Sequence, residues 1–199
     1  MHTKGFTYVE ALLIIVVLVI LAAILFPIFA RPHGARVNSC LNNQRQLAIA
    51  ASMYLEVNEE TYFPDPKRTA WAPALKPYNE PSLYDCPTLT GKAVNENPEY
   101  GFNANLFSMA LGDIHQPDKT LYLADLKRSG MFGNYTLTSH DPADPHYFAT
   151  VIDPRHNNGF AYSCVDGHIA VAYVKTGETP AQALKRDGIV LNPASLLKP

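Results

Sequence analysis

Hydrophobic and polar positions change rhythm along this chain. From Ala11 to Ala30 twenty consecutive residues carry no charge, and nearly all of them are apolar. A helix of that length spans the roughly 30 Å hydrocarbon core of a bilayer. After a short polar break the apolar positions become Val37, Cys40, Leu41, Leu47, Ala48, Ala51, Tyr54 and Leu55, with Gln44 as the one polar interruption. That 3.6-residue spacing predicts an amphipathic helix over 35–57, continuing the apolar helix after a kink and laying its stripe on a sheet. Arg36, Asn42, Asn43, Arg45 and Glu56 fall on its solvated side.

Further along, periodicity fades. Residues 58–100 hold seven prolines and the only tryptophan, Trp71, so mostly irregular chain is expected there. Ala72 to Leu75 reads as one short ordered piece, and Tyr84-Asp85-Cys86-Pro87 as a turn. Strands are predicted at Thr120–Asp125 and at Phe148–Ile152, the latter closed by Asp153-Pro154. The strongest strand signal is Phe160–Val165, Asp166-Gly167, then His168–Tyr173. Read as a hairpin (160–173) with Asp-Gly as a two-residue turn, it sets Cys164 opposite Ile169, Tyr162 opposite Val171 and Phe160 opposite Tyr173, all on one face. Thr179-Pro180-Ala181-Gln182 has the cap, first-turn proline and capping-box glutamine of a helix start, with the helix running to Arg186 and closed by Gly188.

With residues 1–35 set aside, roughly 160 residues remain, enough to bury a core. A net charge of −2 gives no basic footprint, so nucleic acid is not an expected partner. Sixteen prolines and eleven tyrosines favour a loop-rich head over a helical bundle. A secretory signal would have a shorter apolar core and a small-residue cleavage site. Arg31-Pro32-His33-Gly34-Ala35-Arg36 is no such site, so the run reads as a retained membrane helix. Charge counting, Lys4 before the span against Arg31 and Arg36 after it, leaves orientation undecided.

One carboxylate, Glu10, stands at the mouth of the apolar run. An ionisable group there is costly, about 2.5–3.5 kcal/mol for Asp at a helix centre, and marks a functional position. The sequence Lys4-Gly5-Phe6-Thr7-Tyr8-Val9-Glu10 and the apolar stretch after it resemble the N-terminus of the type IV pilin and pseudopilin superfamily. The resemblance implies a leader at 1–5, cut between Gly5 and Phe6 by a prepilin peptidase, and N-methylation of the new Phe6 amine. It implies a transmembrane and filament-core helix at 6–30, a head helix at 35–57 and a globular head at 58–199 outside the cytoplasm. In a packed filament core a buried carboxylate needs a partner, and the Phe6 ammonium of a neighbouring subunit suits Glu10 as a register device. Pro27 is the expected helix kink. The chain lacks the family's glycine partway along the span, with bulky Val19 there instead, so a melted stretch is expected lower, between Pro27 and Gly34.

A second resemblance lies further along. His156, nine residues and then Asp166-Gly167 resemble an H-x9-DG prepilin-like family, as do Cys40-Leu41-Asn42-Asn43, Cys86-Pro87, Tyr100-Gly101-Phe102-Asn103 and Leu123-Ala124-Asp125. Residues 126–150 and 175–199 are least covered. As a catalytic or metal pair, His156 and Asp166 would sit at opposite ends of a strand, roughly 20 Å apart at 3.3 Å per residue. The expectation is that Asp166 makes the turn while His156 bonds backbone at the strand entry.

Outside the cytoplasm disulfides persist. The economical pairing is Cys40 with Cys86, stapling the proline-rich loop to the helix, with Cys164 a buried thiol; three single bridges are available and the sequence does not choose among them. The carboxylates and imidazoles of Ser139 to His146 suit calcium in chemistry but lack a ligand spacing, so no metal or cofactor is expected. No catalytic motif is evident.

The expected architecture is α+β, a long kinked N-terminal helix on a small antiparallel sheet, as in pilins. The expected function is a structural subunit of a type IV pilus-like or type II secretion-type filament, not an enzyme. Its partners would be copies of itself or related pilins, prepilin peptidase, an inner-membrane assembly platform, and the membrane before assembly. It would be a single-pass inner-membrane protein before assembly and part of a surface or periplasmic filament afterwards. The alternatives are a low-copy minor pseudopilin, an adhesin binding glycan through Trp71, and a tethered hydrolase using His156 and Asp166.

Overall fold

The computed structural model describes residues 7–29, 32–64, 71–89, 98–127, 136–137 and 151–192, with backbone alone at 27–29, 32, 33 and 35. The chain forms two compact units, Met1–Ala35 and Arg36–Pro199.

In the first unit helix α1 runs Tyr8–Phe29. It passes through Pro27, whose side chain lies outside the described residues, as do the leader and Phe6. Glu10 apart, the helix is apolar on all sides, so it lacks the polar face of a surface helix. Its segment Tyr8–Phe26 is long and apolar enough to cross a bilayer. The large apolar side chains from Tyr8 to Phe26 are exposed.

Helix α2, Pro32–Val57, carries the expected stripe into the second unit. Cys40, Gln44, Leu47, Ala51 and Leu55 are buried, and so is Ala50. Asn43 differs from expectation. It is half-buried, and its Nδ2 donates to the Asp85 carbonyl at 2.8 Å, tying the helix to the loop before Cys86. Helix α3 is the short Trp71–Ala74, followed by two 3-10 turns, Lys76–Tyr78 and Pro81–Tyr84.

The sheet has five strands: β1 Tyr100–Asn103, β2 Leu121–Asp125, β3 Thr136–Leu137, β4 Gly159–Cys164 and β5 Ile169–Tyr173, in the order β3-β1-β2-β4-β5. It is mixed rather than purely antiparallel, because β3 runs parallel to β1. Of the strand expected at 148–152 only Val151 and Ile152 are described, and Ile152 forms a single bridge with Leu126. Strand β1 was not expected, since Tyr100-Gly101-Phe102-Asn103 is too short to show alternation.

One face of the sheet packs Tyr100, Phe102, Tyr122 and Leu123 against the α2 stripe and Trp71. The other packs Leu121, Ala124, Phe160, Tyr162 and Cys164 against Ala183 and Leu184 of helix α4, Pro180–Arg186. Helix α4 starts as expected, with Thr179 and Gln182 forming a complete capping box. Glycine is required at Gly101, where a Cβ would meet the buried Leu137 side chain at 2.9 Å.

The hairpin register departs from expectation by one residue. Tyr162 pairs with Ala170 and Phe160 with Ala172. The loop has three residues, Val165 to Gly167, closed by bonds from Cys164 N to His168 O and from Gly167 N to Cys164 O. Gly167 takes a left-handed φ of 86°, the form of a turn followed by a bulge glycine. A one-residue slip moves a whole strand's side chains to the opposite face. Ile169, Val171 and Tyr173 therefore leave the Phe160 face, and small Ala170 and Ala172 take their place. The physical reason is α4, which needs a low surface on β5 to bring Ala183 and Leu184 close.

Candidate functional site

The head concentrates its buried polar chemistry where α2, the Cys86 loop and the ends of β2 and β4 converge. Cys40 on α2 is bridged to Cys86, with Cα atoms 5.4 Å apart, and Cys164 is a buried free thiol. The Cys86 loop is held by a buried acid, since the Cys86 N–H donates to Glu99 Oε2 at 2.7 Å.

His156 is aimed into this group by its own turn. Its N–H and C=O exchange hydrogen bonds with Gly159, and the intervening Asn157 and Asn158 have φ of 54° and 61°. Two successive positive-φ residues are what a type I′ turn requires, and asparagine tolerates that conformation. With the backbone satisfied by Gly159, the imidazole is free to turn inward. Nε2 lies 3.2 Å from Asp125 Oδ2 and 3.8 Å from Cys86 Sγ, while Nδ1 lies 3.3 Å from Thr88 Oγ1. His156 thus bonds backbone at the strand entry as expected, and its imidazole in addition reaches Asp125, Cys86 and Thr88, which was not expected.

Asp125 closes the arrangement. It is fully buried at the end of β2, and its Oδ2 also accepts from the Ala161 N–H at 2.7 Å. The Ala161 carbonyl in turn accepts from Gln44 Nε2, so the polar interruption in the α2 stripe is a sheet anchor. Asp125 Oδ1 is buried with no hydrogen-bond partner among the described residues. Tyr100 is pushed far above the usual phenol range, first by burial and then by the Asp125 charge beside it.

Asp166 has no part in this cluster. It lies in the β4–β5 loop, where its Oδ1 accepts from the His168 N–H at 2.8 Å, as its turn role requires. The structure therefore joins His156 to Asp125 rather than to Asp166. Sequence reasoning passed over Asp125 as a ligand-bearing residue, although the run Leu123-Ala124-Asp125, a strand ending in an acid, was the available signal.

In the first unit Glu10 has a local partner. Thr7 N and Thr7 Oγ1 both donate to Glu10 Oε2, at 2.8 and 2.7 Å, and Glu10 N donates to Thr7 Oγ1. This is a capping box, which satisfies free N–H groups at the start of α1. Gly5 and Phe6 lie outside the described residues, as does the acidic and histidine-rich segment 139–146. Trp71 is fully buried, stacked at 6.0 Å on Phe102 and packed on Tyr84, which removes it as a glycan platform.

One group of sulfur and imidazole atoms lies together, with its two sulfurs joined in the disulfide. Sγ of Cys40, Sγ of Cys86 and an imidazole nitrogen of His156 lie within 4.8 Å of one another, all buried. No family model matches the chain, and neither does any curated protein or solved structure.

Proposed function

We propose that this chain is a structural subunit of a type IV pilus-like or type II secretion-type filament. A prepilin peptidase cuts it after Gly5 and assembly proceeds through α1. The observation that carries the reading is α1 itself: nineteen residues, Tyr8 to Phe26, apolar on every side and exposed. Such a surface is stable only in lipid or against other apolar helices. A filament core of packed copies supplies the second environment after the membrane has supplied the first. The motif around Gly5, Phe6 and Glu10 favours this sequence of events over a permanent anchor.

On this reading Glu10 exchanges its Thr7 contact for the methylated Phe6 amine of an adjacent copy, which sets axial register. The head is the exposed face of the filament and performs no catalytic step. The buried position of Trp71 favours a structural head over one that binds glycan.

Intact-mass analysis of the membrane-derived protein tests the proposal. Loss of Met1–Gly5 with one added methyl group is the expected result. A protein retaining Met1 overturns it.

A further inference from the structure

We propose that Cys40, Cys86 and His156, with Asp125 at the edge of the group, form a second, mutually exclusive state of the head: a zinc-class metal site that exists when the two cysteines are reduced. This inference concerns the head alone and does not rest on the filament reading.

Four observations carry it. The Cys40 and Cys86 sulfurs are held together by their bridge, and a ring nitrogen of His156 lies within 4.8 Å of both. His156 Nε2 stands 3.8 Å from Cys86 Sγ and 3.2 Å from Asp125 Oδ2. Those separations are close to the roughly 3.3–3.8 Å between donors on one tetrahedral zinc, given bonds of about 2.0–2.3 Å. The second ring nitrogen, Nδ1, has Thr88 Oγ1 at 3.3 Å, the outer partner that orients a ligating imidazole bound through Nε2. Finally, Asp125 keeps one oxygen, Oδ1, buried and unpartnered. A carboxylate so placed adds negative charge and donor capacity at the edge of the group. Two thiolates and an imidazole, with a carboxylate beside them, select a borderline-soft divalent ion, with zinc or cobalt(II) preferred over calcium or magnesium.

The chemistry balances simply. A water-soluble phosphine reduces the bridge, taking an oxygen atom from one water to become the phosphine oxide, while that water's two protons pass to Cys40 and Cys86. The sulfurs then part. Entry of the divalent ion displaces both thiol protons to solvent. Reoxidation by a disulfide oxidant takes two electrons from the thiolates, re-forms the bridge and expels the ion.

The test uses the full chain in detergent micelles, treated with phosphine and titrated with cobalt(II). One equivalent is expected to bind, with intense thiolate-to-cobalt absorption that untreated, disulfide-bonded protein does not develop. Cys164→Ser keeps the absorption, and Cys40→Ser or Cys86→Ser weakens it sharply. His156→Ala lowers affinity at least tenfold, and Asp125→Asn, which preserves an acceptor for the Ala161 N–H, lowers it by a similar factor. Circular dichroism of each variant separates loss of the site from loss of the fold. Reduced wild-type protein that develops no such absorption overturns the proposal. So does a cobalt affinity unchanged in His156→Ala, or a bridge that the phosphine cannot open in the folded chain.

Discussion

His156 Nε2 lies 3.2 Å from Asp125 Oδ2, and both side chains are buried. Removing one partner of such a pair leaves the other desolvated, at a cost of about 3–5 kcal/mol when the survivor is charged. His156→Ala should therefore lower stability by roughly 3 kcal/mol, read from the urea midpoint of Trp71 fluorescence. The double variant with Asp125→Asn should recover part of that loss. A strictly additive double variant would show that the two side chains do not interact.

The Cys40–Cys86 bridge closes a loop with a sequence separation of 46. Chain-entropy arguments assign about 4 kcal/mol to a loop of that size. Reduction without added metal, or Cys86→Ser, should lower the thermal midpoint markedly, whereas Cys164→Ser, which leaves the bridge intact, should respond to reductant as wild type does.

Trp71 is fully buried between Phe102 and Tyr84. Trp71→Ala should cost about 3–5 kcal/mol through the cavity it leaves. It should leave no glycan-binding activity to lose, which array binding of the wild-type chain checks directly.

Alkaline pH should destabilise the head. Burial, aided by Asp166 and Asp118, raises the Cys164 thiol to about 12, and burial raises Tyr162 to about 12 and Tyr62 and Tyr100 higher still. The unfolded chain releases these protons from about pH 8.5 for Cys and about pH 10 for Tyr, while the folded chain retains them. Their contribution is complete below those values and is lost as pH rises toward 12. Tyrosinate absorbance should lag in the folded protein and then rise cooperatively with unfolding; a smooth rise near pH 10 for all tyrosines would contradict the burial.

On the filament reading, Glu10→Leu should leave membrane insertion intact and abolish polymerisation. Comparing membrane-fraction levels with sheared surface or periplasmic filaments checks this. Filament yield equal to wild type would remove the register role of Glu10.

Long-period features were legible early. The apolar span, the α2 stripe and the Thr179–Gln182 capping box are local patterns, written in spacing that a helix repeats every 3.6 residues. The Cys86 loop was legible only as irregular chain, because its order comes from Asn43, Glu99 and the bridge to Cys40, all distant in sequence. Strand β1 escaped notice because four residues buried on both faces give no alternation. The hairpin register was misjudged because Asp166-Gly167 permits both a two-residue and a three-residue loop. The choice fell to α4, which demands alanines beneath it.

Sequence alone determined that the N-terminus carries an apolar helix long enough to cross a membrane, since no polar residue interrupts Ala11 to Ala30. Only the tertiary structure decided that His156 answers to Asp125 and the cysteines rather than to Asp166. Hydrogen bonds and donor clusters form across distances that sequence spacing does not encode, and the Asn157-Asn158 turn directs the imidazole inward.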